Sequence, residues 1–343
     1  MLAAVYVGDG HLEVQARPVP TLEPREVLVE ISHCGICGTD LHLVLERYAR
    51  PGSVLGHEWS GTVVAVPDGD DAALLGRRVV QNPEPGCGTC RACHAGRPSV
   101  CRKRLPVDHL AISSGSFSRY RAVEARRLLI LPDSLSSRAA ALTEPTAIAL
   151  HCVNLSGVSQ ADRVLITGGG PVGQLTAAVL KARGVTDITI SEPSPVRRER
   201  ALSLGVRRAI EPSDLPAART GRVVDEPYDV VFECSGHADA ITTAFDQLDT
   251  GGTFVFVGTG SKNPTINHNR AIILELIIIG AYNYDADGFA SAIELLASGA
   301  LALELLIEPE DIGLHQLETT LRQLASGRIA GKVLVQPMIG VDS

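Results

Sequence analysis

The ten residues from His33 to His42, HCGICGTDLH, hold two cysteines, a threonine, an aspartate and two histidines. A C-x-x-C pair suits a disulfide switch and a metal equally well, so its chemistry depends on what else the chain offers. Downstream, GHEWSG supplies His57 and Glu58, and TEPTA supplies Glu144. One thiolate, one imidazole and one carboxylate, with water in the fourth place, make the open coordination of a catalytic zinc.

A second group reads CGTCRACHAGRPSVC, placing Cys87, Cys90, Cys93 and Cys101 at C-x2-C-x2-C-x7-C. Turns can bring four such thiolates to one tetrahedral zinc, a closed site that folds its lobe, spanning 84–104, rather than binding substrate. An iron–sulfur cluster also takes four cysteines. The hydrophilic loop and the neighbouring motifs favour zinc. His94 is a spare ligand candidate, better read as a solvated loop residue because the cysteines already fill the shell.

The third constellation is Gly168-Gly169-Gly170-Pro171-Val172-Gly173, a G-x-G-x-x-G run between a strand-like RVLIT and a helix-like stretch. Bare backbone N–H groups and a helix N-terminus there can hold a pyrophosphate. Glu192 ends the next strand-like run, where a carboxylate accepts hydrogen bonds from both ribose hydroxyls. That acid would repel a 2′-phosphate, so NAD is expected rather than NADP. Arg197 is assigned to the ribose edge and Arg198 to helix surface.

These residues need elements to position them. From 26 to 80, runs such as EVLVEIS and SGTVVAV alternate with glycine and proline punctuation, an irregular β-rich fold. After about 160, strand and helix patterns alternate: RVLIT, PVGQLTAAVLKAR, DITIS, PVRRERALSLG. This is the signature of an α/β doubly wound parallel sheet. DVVFECS, GTFVFVG and LELIIIGAY are nearly continuous apolar runs, as strands covered on both faces should be. Helix GFASAIELLAS and strand GKVLVQP follow. The expected layout is a β-rich domain over 1–146 and 286–343 with a dinucleotide domain, 147–285, inserted in it.

Composition narrows the partners. The 343 residues are 45% hydrophobic and 20% charged, as in a globular protein of two ordinary domains. A net charge of −8 and 4% aromatic residues argue against nucleic acid, which needs cations and stacking platforms. No apolar run approaches the roughly 18 residues of a membrane helix. Eight cysteines, six of them in two tight groups, read as metal ligands in a reducing compartment rather than as a disulfide scaffold. The expectation is a cytoplasmic protein acting on a small molecule.

CGICGTDLH, GHEWSG, the four-cysteine lobe, TEPTA, GGGPVG and the terminal GKVLV, in that order through nearly all of the chain, resemble the zinc-dependent medium-chain dehydrogenase/reductase family in its sorbitol and threonine dehydrogenase branch. The resemblance implies a GroES-like catalytic domain, a Rossmann domain and an active site in the cleft between them. It makes Cys37 and His57 the first two zinc ligands and puts Asp40 behind His57, fixing its tautomer. Glu58 and Glu144 exchange places in this branch as ligand and water-linked partner, and both stay open here. Thr39 matches the hydroxyl that touches the substrate alcohol, and His42 the outer histidine of the proton relay.

The same resemblance implies two zinc ions per chain, hydride transfer from a secondary alcohol of polyol, cyclitol, aminocyclitol or sugar-derived type to NAD, and a homodimer or homotetramer. L-threonine or another amino alcohol is the alternative substrate. A non-catalytic nucleotide-binding protein on this fold is the remote one, which would be expected to lose zinc ligands that this chain keeps. LELIIIGAY is the candidate for joining two sheets across a symmetry axis. Trp59 is read evenly as pocket wall or core, Arg47 and Tyr48 as solvated loop. Cys34, Cys152 and Cys234 are read as packing residues. At the position where G-D-R-V is usual the chain has Arg77.

Overall fold

The computed structural model describes residues 1–67, 70–83, 85–104, 114–218 and 222–340; position 84, the first of the expected zinc-lobe span, lies outside them. Among the described residues two six-stranded sheets carry the architecture, with a hairpin of Leu2–Gly8 and His11–Ala16 beside them.

One sheet is parallel throughout. Its spatial order is Arg208–Ile210, Asp187–Ser191, Arg163–Thr167, Tyr228–Glu233, Leu248–Phe256 and Ile277–Gly280. In chain order this reads 3-2-1-4-5-6, the doubly wound arrangement whose ligand crevice opens at the carboxyl ends of the strands beside Arg163–Thr167. Val164, Leu165 and Ile166 are wholly buried, because helices cover both faces of this central strand. LELIIIGAY departs from that expectation. Only Ile277–Gly280 is strand, it has a single neighbour, and Ile277 and Ile278 are about half exposed (52% and 45%). It is an edge.

The other sheet is antiparallel, ordered Leu334–Val335, Glu26–Gly35, Glu58–Ala65, Arg78–Gln81, Leu128–Ile130, with Tyr120–Glu124 also pairing Glu26–Gly35. Its core gathers Val27, Val29, Ile31, Trp59 and Val63 from alternating positions, with Leu317, Leu321 and Leu324 from the helix Leu317–Ala325. The helix Thr143–Ser156, almost wholly buried, leads from this sheet to the parallel one. Helix Gly288–Ala297, just past position 285, places Phe289, Ala292, Ile293 and Leu296 in the same core as Val164 and Ile166. Each larger apolar side chain among these contributes about 1.5–3 kcal/mol on burial.

Candidate active site between the two sheets

The chain leaves strand Glu26–Gly35, passes Ile36, and Cys37 caps the helix Gly38–Leu45. That helix starts here because Asp40, in its first turn, reaches back so that its Oδ2 accepts the Cys37 N–H at 2.9 Å. Glu58 opens the next strand directly opposite Gly35, which brings His57 alongside Cys37. The ligand atoms of Cys37, His57 and Glu58 all lie within 4.8 Å of one another. A thiol, an imidazole and a carboxylate so grouped fit zinc's preference for sulfur and nitrogen donors with one oxygen.

Asp40 is buried, and its Oδ1 has no hydrogen-bond partner. It lies 3.9 Å from His57 Nδ1, too far for the hydrogen bond expected between them. An unmet buried acceptor beside an imidazole is what a metal-bound histidine's far N–H satisfies. Burial alone would lower the His57 pKa, but the charges of Cys37, Asp40 and Glu144 outweigh it and hold it well above its ordinary value. Burial pushes Asp40 up.

The two candidate carboxylates are engaged differently. Glu58 is fully buried and both its oxygens accept from the Lys332 ammonium, at 2.8 and 2.6 Å. Glu144, in the first turn of Thr143–Ser156, lies outside the Cys37–His57–Glu58 group and accepts a hydrogen bond from the Tyr284 hydroxyl. Burial raises the pKa of both Glu144 and Tyr284. Thr39 sits half-buried in the first turn of the Gly38–Leu45 helix. His42, about two-fifths exposed, donates from Nδ1 to Glu46 at 2.7 Å one turn on, so it faces solvent rather than the core.

The four lobe cysteines converge, their sulfurs all within 4.8 Å of one another. Cys90 Sγ is 3.6 Å from Cys93 and 4.0 Å from Cys101, while the Cys87 N–H donates to Cys101 Sγ at 3.3 Å. A hydrogen bond from the Thr89 hydroxyl brings Cys87 down to about 5, and burial takes Cys93 up to about 11. His94, at the end of the short helix Arg91–His94, is not among the converging groups.

In the glycine turn, Gly170 caps helix Pro171–Ala182 with no side chain over the helix end. A Cβ on Gly170 would meet only Arg197, at 4.0 Å, so the approach to the helix N-terminus is open, as a pyrophosphate needs. Gly173 is glycine for another reason: a Cβ there would lie 1.9 Å from the Gly168 carbonyl oxygen, where helix and turn pack together. Val172, between them, accepts through its carbonyl from Thr176 Oγ1. Glu192 is buried, and its oxygens accept from Gly169 N at 2.6 Å and Ser194 N at 2.8 Å, fixing it beside the turn.

Arg197 lies beside the glycine turn, its guanidinium 4.0 Å from where a Gly170 Cβ would sit. Its guanidinium donates to the carbonyls of Ile329 (3.0 Å) and Leu324 (2.9 Å), tying the parallel-sheet domain to the end of helix Leu317–Ala325 and the segment after it. Arg198 donates to the Glu192 and Pro193 carbonyls and to Glu211. Trp59 is in the core, 5% exposed, with the Arg121 guanidinium 5.6 Å from its ring. Burial lowers Arg121 to about 10. Arg47 pairs with Asp9 at the surface and Tyr48 is exposed. Cys34 and Cys152 are buried and Cys234 packs against the core.

Sequence reading passes over Lys332, Tyr284 and Gln174. Lys332 is a single lysine inside the apolar run IAGKVLV, and a cation in such a run signals a buried partner. Gln174 donates to Gly169 O at 2.7 Å and Ala330 O at 2.9 Å, buried beneath the glycine turn. It looks in sequence like an ordinary helix residue.

A dinucleotide cradle, a converging thiol–imidazole–carboxylate group and a four-thiol lobe together define a metal-dependent oxidoreductase. Residues 23–133 match the alcohol dehydrogenase GroES-like domain and residues 171–298 the zinc-binding dehydrogenase domain. The chain is 35% identical to a 2-dehydro-3-deoxy-L-galactonate 5-dehydrogenase of Pseudoalteromonas atlantica, over 90% of each chain. It is 31% identical to a sorbitol dehydrogenase of Bacillus subtilis, over 98% of this chain and 97% of that one. It superposes on an Escherichia coli alcohol dehydrogenase solved with NADH at a TM-score of 0.85 and 26% identity, covering 98% of this chain and 99% of that one.

The chain belongs to the zinc-dependent medium-chain dehydrogenase family. It is an oxidoreductase whose cofactors are zinc and a nicotinamide dinucleotide. Among the described residues no helix is long and apolar enough to cross a membrane.

Proposed function

We propose that the protein interconverts a secondary alcohol and its ketone on a polyol or sugar-derived substrate, with NAD. The observation that carries this is the meeting of Cys37, His57 and Glu58 within 4.8 Å, in a chain that also cradles a dinucleotide. The similarity to sorbitol and sugar-acid dehydrogenases supports the substrate class. Two zinc ions per chain are proposed, one held by Cys37, His57 and a carboxylate from Glu58 or Glu144, the other by Cys87, Cys90, Cys93 and Cys101.

When bound, zinc supplies a Lewis acid and NAD the hydride acceptor. The chain's own residues do the rest. Thr39 holds the substrate hydroxyl and passes its proton outward, and His42, at the surface beside Glu46, delivers it to solvent. Asp40 keeps the His57 ring in one tautomer. Gly168, Gly170, Pro171, Val172 and Gly173 seat the pyrophosphate, and Glu192 takes the ribose hydroxyls and disfavours a 2′-phosphate. Arg197 steadies that seat from behind. We assign catalysis to 1–146 with 286–343 and cofactor binding to 147–285, with helix Gly288–Ala297 packed on the latter.

The exposed edge Ile277–Gly280, together with Ile272 and Ile273 at 69% and 62% exposure, supports a homodimer joined through that strand, either alone or within a tetramer. The grouping of cysteines as metal ligands supports a reducing, cytoplasmic setting. Oxidation of a panel of polyols, cyclitols, aminocyclitols, sugar acids and L-threonine, followed at 340 nm with NAD and NADP, tests the function. The expected result is turnover of a polyol or sugar derivative with NAD. Turnover of L-threonine alone, or with NADP alone, contradicts it.

A further inference from the structure

Lys332 is buried to 2% exposure and uses all three ammonium donors: one to the Ile36 carbonyl at 2.9 Å, and two to the oxygens of Glu58. Gly35, opposite Glu58 in the sheet, leaves room for this pair. A Cβ there would lie 2.2 Å from Glu58 Oε2 and 3.3 Å from the Lys332 stem. Glu58 is thus claimed twice, by a fixed cation on one side and by the Cys37–His57 group on the other.

The base of Lys332 is also fixed. In the segment before it, Arg197 holds the Leu324 and Ile329 carbonyls, Ser194 the Gly327 carbonyl (2.6 Å) and Gln174 the Ala330 carbonyl. All three donors come from the dinucleotide side.

We infer that Lys332 is a positioning residue that competes with the catalytic metal for Glu58, weakening that carboxylate's grip beside Cys37 and His57. The inference rests on the zinc reading of that group. A carboxylate sharing its lone pairs with an ammonium is a poorer ligand than a free one, and the competition is built into the sheet register rather than into a mobile loop. Anchoring of residues 324–330 to the cofactor side makes Lys332 the point where the two domains meet the metal group.

The test is release of zinc from the cofactor-free protein to a chelator, with the absorption of the cobalt-substituted protein as a second readout of coordination. The variant Lys332→Met removes the cation at nearly constant size, and Lys332→Arg restores a charge. Lys332→Met is expected to slow release of the cleft zinc about tenfold or more and to alter the cobalt spectrum. The double variant with Glu58→Gln is expected to lose the slowing, and Lys332→Arg to release within about threefold of the wild type.

Retention of the lobe zinc reports on folding in every variant. Should Lys332→Met fail to fold, Lys332→Gln, which keeps a donor for Ile36, is expected to slow release likewise. Release as fast as wild type or faster from a folded charge-removing variant overturns the competition. A wild type holding only the lobe zinc overturns the zinc reading itself, and the inference with it.

Discussion

At the scale of single residues, one buried acceptor of the site lacks a partner. The unmatched Oδ1 of Asp40 faces His57 across 3.9 Å. Its proposed work is to hold an imidazole, so Asp40→Ala should weaken cleft-zinc binding or activity about 10–100-fold, read by metal analysis and kcat/KM. The Cys37 N–H would also lose its acceptor, and a modest fall in Tm should accompany the change. Gly35→Ala tests the packing over the same group. Its methyl has no place beside Glu58, and overpacking of this kind costs about 1–3 kcal/mol, lowering the denaturation midpoint and displacing the carboxylate.

The cysteines and the glycine turn were legible in the sequence because their spacing encodes geometry directly. Lys332, Tyr284 and the carbonyl partners of Arg197 were not. Each acts on a partner more than a hundred residues away, Glu58, Glu144 and the 324–329 carbonyls, and no local pattern reports such a pairing.

At the scale of elements, three short pieces position the chemistry. The helix Gly38–Leu45 carries Cys37 at its start, strand Glu58–Ala65 delivers His57 and Glu58, and Pro171–Ala182 presents at the glycine turn an N-terminus with no side-chain cap. The helix end cannot move away from its strand without breaking the contact at Gly173. Gly173→Ala should therefore weaken NAD binding, measured by titration of nucleotide fluorescence, by more than tenfold while leaving both zinc ions in place. The lobe is the opposite case. With few buried residues of its own, it depends on metal, so Cys90→Ser should release one zinc and expose the lobe to proteolysis.

Periodicity located the parallel strands buried on both faces and the helix Pro171–Ala182, but not the short helix Gly38–Leu45, which lies inside a stretch read as β-rich. It overstated LELIIIGAY, because an apolar run reads the same whether helices or a second molecule cover it.

At the scale of the whole molecule, two domains are joined by more than the chain crossing between them. Helix Thr143–Ser156 shares one core with Val80 of the antiparallel sheet and Val164 of the parallel one, and Arg197, Ser194 and Gln174 reach across to residues 324–330. Beyond the monomer, the isoleucines along Ile277–Gly280 need cover. A charged pair there, Ile277→Lys with Ile278→Glu, should shift the mass measured by light scattering to that of a smaller species while leaving zinc content unchanged. An unchanged mass would place the subunit contact elsewhere.

The central claim is that turnover depends on a metal held by Cys37 and His57. Its most direct measurement is zinc content and alcohol oxidation in the variant Cys37→Ser, set beside the unaltered protein. Two zinc ions falling to one, turnover lost and NAD affinity retained are the expected results. A variant that keeps full turnover, or an unaltered protein fully active with the lobe zinc alone, would contradict that claim.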